Sequence, residues 1–115
     1  INQCIDGLKI FDGIMIGRSA YKYPLRWNEI DNKIYGAKSL RLKASDIIFS
    51  LIPYIENHLQ KEKKSWDIFK HLINIVESIP NAKKWRNKIT LLSIKGSLST
   101  EMVIALTNEL KSMGY

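Results

Sequence analysis

The sequence predicts a mainly α chain, with a C-terminal four-helix bundle preceded by a helix–strand–helix piece. From Ser45 onward, apolar residues recur at helical spacing in stretches opened or closed by capping residues or prolines. Ahead of them, Gly13-Ile14-Met15-Ile16 is an apolar run without alternation that stops at Gly17 and passes at once into a helical pattern at Ser19-Ala20-Tyr21. Such a run reads as a strand buried on both faces, as in parallel sheets covered by helices. Helix, buried strand, helix is the rhythm of a (β/α) barrel or a doubly wound sheet.

Taken in order, Asn2 to Ile10 forms a short helix with Asn2 as N-cap and Ile5 and Leu8 turned inward. Gly7 weakens it, so it depends on packing. The strand at Gly13 to Ile16 needs neighbours, because a lone parallel strand leaves its backbone unpaired. Arg18 to Tyr23 gives a turn of helix, and Pro24 opens the next. Leu25 to Tyr35 places Trp27, Ile30 and Ile34 on one side, with Gly36 as terminator. Ala37 to Lys43 has no clear period and is read as the boundary between a domain at 1–36 and a helical domain at 37–115.

The first long helix runs from about Ser45 to Glu62 along Ile48, Ile52, Ile55 and Leu59. Pro53 removes one backbone bond and kinks it near Phe49. A second spans Trp66 to Ser78, buried through Phe69, Leu72, Ile73 and Val76, and Pro80 ends it. Asn81 caps a third, with Ala82, Trp85, Ile89 and Leu92 inside and Gly96 closing it. Ser99 caps the fourth, which buries Val103, Leu106, Leu110 and Met113. Short loops make these an antiparallel bundle.

The 115 residues carry a net charge of +7. Residues 1–36 hold five Lys/Arg against four Asp/Glu, and residues 37–115 hold thirteen against seven. The excess therefore sits in the helical part, as in a nucleic-acid-facing appendage or, equally, a solvated lysine face. No apolar run nears the ~20 residues of a membrane span. Cys4 is the sole cysteine, so no disulfide framework exists and a reducing, cytoplasmic setting fits. His58 and His71 lack ligand spacing, and no Cys/His/Asp cluster suggests a metal. The chain begins at Ile1 rather than methionine and is read as a fragment, a processed product or a truncated chain.

Two places carry chemistry. A glycine followed by a helix start suits an anion, since the first helical N–H groups point outward unpaired; the spacing alone favours a plain strand-to-helix turn. On the third helix, Lys83, Arg86, Asn87 and Thr90 share one side opposite Trp85 and Ile89, flanked by Lys84 and Lys88. A cationic stripe on a rigid helix can contact successive phosphates, or simply be solvated. The tryptophans Trp27, Trp66 and Trp85 fall on core stripes and are read as packing.

Asp12-Gly13-Ile14-Met15-Ile16-Gly17-Arg18-Ser19-Ala20-Tyr21, followed by Tyr23-Pro24, resembles the last barrel strand of the tRNA-dihydrouridine synthases, especially their A-type branch. Lys70-His71 and Pro80-Asn81-Ala82-Lys83-Lys84-Trp85-Arg86 resemble the family's later R-H…P-G-A-R-x-W-R segment. The resemblance runs over nearly the whole chain but only the last third or so of a family member. It implies that residues 1–36 are the end of a (β/α)8 TIM barrel, that Gly17 and Arg18 bind the phosphate of flavin mononucleotide (FMN), and that Lys83 and Arg86 contact tRNA. Lysine at 83 in place of arginine keeps the charge and loses the planar fork. Asn81 stands where the family has glycine. The family's catalytic acid lies on an earlier barrel loop, so Cys4 is read as a small buried hydrophobe.

The implied function is that of the C-terminal portion of an FMN-dependent tRNA-dihydrouridine synthase, reducing uridine in tRNA with NADPH, of which this stretch supplies FMN-phosphate and tRNA contacts and is inert alone. A standalone basic helical module that binds RNA or protein without catalysis is the alternative. Self-association to cover the apolar strand is a further expectation.

Overall fold

A computed structural model of the chain describes residues 1–77 and 79–115. Among them it contains eight α-helices and two 3₁₀ turns, and no strand. The helices are α1 (Asn2–Leu8), α2 (Arg18–Lys22), α3 (Ile30–Tyr35), α4 (Ala44–Ser50), α5 (Ile52–Gln60), α6 (Trp66–Leu72), α7 (Lys83–Lys95) and α8 (Thr100–Ser112). The 3₁₀ turns are Pro24–Trp27 and Ile73–Val76.

The expected strand at Gly13 to Ile16 is corrected: these residues have no regular secondary structure, and Met15 is 85% exposed. A strand exists through pairing, and no described segment lies alongside to pair with it. The segment instead drapes over α1. The Ile14 side chain crosses Gly7 so closely that a Cβ there would meet its Cδ1 at 2.6 Å. Asn2 lies inside α1 instead of capping it; the cap position is Ile1, without a side-chain bond.

The helix expected from Ser45 to Glu62 is two helices, α4 and α5, meeting at Leu51. Pro53 causes this: it has no N–H for the carbonyl of Phe49, and it occupies the first turn of a new helix instead. The stretch expected as one helix from Trp66 ends α-helical geometry at Leu72 and tightens into the turn Ile73–Val76; its expected terminus at Ser78 lies outside the described residues. The helix α7 begins at Lys83 with Ala82 as N-cap, and Asn81, expected as the cap, sits just before it at φ +64°. Its other end is the Schellman arrangement, with Gly96 N–H donating to Ser93 O at 3.3 Å and Ser97 N–H to Leu92 O at 3.0 Å, and Gly96 at φ +69°. Ser99 caps α8 by accepting from the Met102 N–H. Met113, expected inside, is exposed.

The core lies between Ala44 and Leu110. Ile48, Ile55, Phe69, Val76, Trp85, Ile89, Val103 and Leu110 are essentially inaccessible. The helices α4 and α5 pack on α8, and α6 packs on α7. Trp85 contributes most: it buries a large ring and donates its indole N–H to Leu106 O at 2.6 Å, which pins α7 to α8. Ahead of residue 44, Cys4 is the single buried hydrophobe, and Leu25 is the residue that reaches the core cluster from outside. The result is elongated, 50 × 29 × 23 Å with a radius of gyration of 16.2 Å, where a compact chain of this length would have about 13 Å.

Residues 37–43 carry no regular structure but are tied to α3 and the turn before it. Asn32 Nδ2 donates to Ala37 O at 2.7 Å and Asn28 Nδ2 to Leu42 O at 2.9 Å, while the Ser39 hydroxyl donates to the Glu29 carboxylate.

Candidate functional site

Gly17 is the residue before α2, and Arg18 is its first helical position; both are exposed. A Cβ at Gly17 would meet the Met15 sulfur at 3.6 Å, an ordinary van der Waals contact. Ala20 N–H is satisfied by Gly17 O at 3.1 Å. The N–H groups of Arg18 and Ser19 start the helix and have no carbonyl of an earlier turn to meet. The Arg18 guanidinium makes no ion pair among the described residues. A bare backbone corner, two outward donors and an unpaired guanidinium fit a phosphate group.

One turn further along α2, the Tyr21 hydroxyl meets His71 Nδ1 at 3.0 Å, and the two rings stand edge to face with centroids 5.7 Å apart. Tyr21 and His71 belong to the two sequence motifs, separated by fifty positions, and the fold brings them together. Beside them the Arg26 guanidinium lies 4.0 Å over the Tyr23 ring. Lys22 and Tyr23 line a cleft of about 270 Å³ with Asn74 and Glu77, where α2 meets the turn Ile73–Val76. The phosphate-fitting end is thus anchored to the helical region through Tyr21 and the Pro24–Trp27 turn, not through the segment 13–17.

On α7, Lys83 is exposed and unpaired among the described residues. Arg86 is engaged: its guanidinium donates to the Glu77 carboxylate at 2.6 Å and to the Glu77 carbonyl at 3.1 Å, and its side chain is 24% exposed. Lys88 pairs with Glu109 at 3.0 Å. The stripe read from the sequence therefore contains two partly neutralised cations and two without an ion pair among the described residues, Lys83 and Lys84. Sequence spacing could not find Glu77, which lies nine positions before Arg86 and outside α7.

Among the described residues no group of three or more His, Cys, Asp or Glu could hold a metal ion, and no helix is long and apolar enough to cross a membrane. Cys4 is buried, as the sequence suggested.

Comparison with known proteins gives these motifs a context. The family model of dihydrouridine synthases matches residues 2–111. A protein of Vibrio cholerae named tRNA-dihydrouridine(20/20a) synthase is 32% identical over 96 residues, covering 84% of this chain and 29% of that protein. Proteins of the same name from Shewanella oneidensis and Vibrio parahaemolyticus are 29% and 34% identical, covering 90% and 72% of this chain and 31% and 26% of their own lengths. The chain thus spans under a third of the relatives it matches. No solved structure matches it. With the match running almost from end to end, the chain belongs to the dihydrouridine synthase family.

Proposed function

We propose that this chain supplies the C-terminal part of an FMN-dependent tRNA-dihydrouridine synthase, which reduces uridine in tRNA to dihydrouridine with NADPH. The observation that carries the reading is the unbroken family match from residue 2 to residue 111, which includes both the Gly17-Arg18 corner and α7. FMN, once reduced by NADPH, would supply a hydride to the uracil C5=C6 bond, with a proton added at the other carbon. Gly17 and Arg18 would hold and orient its phosphate, chiefly through backbone N–H groups at the start of α2, with the guanidinium adding a charge-assisted bond. Tyr21 and His71 fix that helix against the region that meets RNA. Lys83 meets a tRNA phosphate directly, and Arg86 does so while sharing its guanidinium with Glu77. Residues 1–36 act with the flavin domain and residues 37–115 as the tRNA-binding domain.

Replacing the matching C-terminal segment of the Vibrio cholerae relative with this chain tests the reading. The chimera is expected to retain FMN and to form dihydrouridine in a tRNA transcript with NADPH. Arg18→Ala within it is expected to weaken FMN retention by about tenfold, the worth of one hydrogen bond to a charged group. A chimera that folds and holds FMN yet forms no dihydrouridine overturns the reading. The isolated chain is expected to be inert in the same assay, and turnover by it would refute that. The confinement of the core to residues 44–110 favours a second reading, a helical RNA-binding module without catalysis, for which tRNA binding persists and the chimera stays inactive.

A further inference from the structure

The free cations of the helical region are not centred on Lys83. Lys61, Lys63 and Lys64 lie in the loop between α5 and α6, and Lys95 closes α7; none makes an ion pair among the described residues. Glu62 is the single carboxylate in that loop, which stays net positive.

Two hydrogen bonds assemble these separate stretches. Ser65 Oγ donates to Ser93 O at 3.0 Å with both serines buried, which sets the start of α6 against the last turn of α7. His58 donates its Nε2–H to Lys64 O at 2.9 Å, which holds the lysine loop down on α5. Between the loop and the end of α7 lies a cleft of about 420 Å³ lined by Lys64, Trp66, Ile94 and Lys95. Ile94 is 64% exposed, and Trp66 is half-buried.

Two ammonium groups flanking an apolar floor match the chemistry of a polynucleotide, which alternates phosphates with flat apolar faces. Lys95 also offsets the negative end of the α7 dipole. That role accounts for Lys95 alone and leaves the three loop lysines unexplained.

We propose that loop 61–64 and the last turn of α7 form a second RNA contact, separate from Lys83 and Arg86. Lys63, Lys64 and Lys95 meet the RNA backbone, and a base or ribose rests against Trp66 and Ile94. The proposal rests on the tRNA reading above and extends it. The helix α7 has 13 residues, so its two cationic ends stand about 18 Å apart on one rigid rod. Contacts at both ends fix the orientation of a folded RNA in a way that one patch does not.

The test uses the 115-residue chain and an unmodified tRNA transcript, with affinity measured from about 50 to 200 mM salt. The Lys63→Gln/Lys64→Gln/Lys95→Gln variant is expected to bind about tenfold more weakly, with the slope of log affinity against log salt shallower by about two. A Lys33→Gln/Lys38→Gln/Lys111→Gln variant removes the same charge away from the cleft and is expected to lose less than about threefold. Equal losses in the two variants mean diffuse attraction and overturn the proposal. Undiminished affinity and slope in the cleft variant overturn it while leaving tRNA binding intact. Failure of the unaltered chain to bind tRNA overturns both this proposal and the reading beneath it.

Discussion

Phe11 and Phe69 are the same side chain in two regions of one molecule. Phe69 is fully buried among α6, α7 and their neighbours, while Phe11 is 62% exposed. The contrast extends to whole segments. Ile10, Met15 and Tyr35 face outward in the first region, whereas Ile48, Ile55, Ile89 and Val103 are inaccessible in the second. Apolar content does not separate the two. What separates them is a complementary surface: α4, α5 and α8 supply one to each other, and α1 to α3 have little to lean on beyond Cys4, Leu25 and a cleft of about 380 Å³ lined by Cys4, Leu8, Ile14 and Ile34. Burial is a property of pairs of surfaces, and a sequence shows one member of each pair.

Substitutions can break this contrast directly. Phe69→Ala is expected to cost about 3–5 kcal/mol, enough to unfold the helical region, whereas Phe11→Ala is expected to stay within about 0.5 kcal/mol in urea unfolding. Comparable costs at the two sites would erase the distinction. Leu25→Ala comes next, at about 1–2 kcal/mol, because Leu25 is partly buried against the core and carries the first region's hold on the second. Tyr21→Phe, which keeps the ring and removes the hydroxyl that meets His71, is expected to cost about 0.5–1 kcal/mol, and nothing further when His71→Ala is already present. A comparably small effect falls on the solvent side of the helical region: Glu77→Gln is expected to change stability by about 0.5 kcal/mol, since the partner Arg86 keeps its bond to the Glu77 carbonyl. The same variant frees much of the Arg86 charge, so tRNA binding is expected to tighten severalfold at low salt.

The helices after residue 44 were legible because period-3.6 apolar spacing and local caps act within a few residues of one another. Ser99 and Gly96 do what their types do anywhere. Pro53 marks the disturbance in the sequence, and in the fold it opens a new helix after Leu51 in place of bending one long helix. Met113 satisfies the spacing of α8 yet is its C-cap, where it borders an open cleft with the start of α7 and stays exposed. The strand reading of Gly13 to Ile16 failed for a different reason, since β structure depends on a neighbour that the run itself does not contain. At the candidate sites, the Gly17-Arg18 corner was visible because its requirements are local. The pairing of Arg86 with Glu77, the meeting of Tyr21 with His71 and the placing of Lys64 and Lys95 on one cleft depend on how distant segments come to rest.

The connector at 37–43 is clasped near both ends by the amide side chains of Asn32 and Asn28. A segment secured in this way has no slack to pay out. It works as a strut, so a tilt of α3 would be delivered to the start of α4 as torque. Mechanically, the residues before and after the connector are geared to each other, despite sharing so little buried surface.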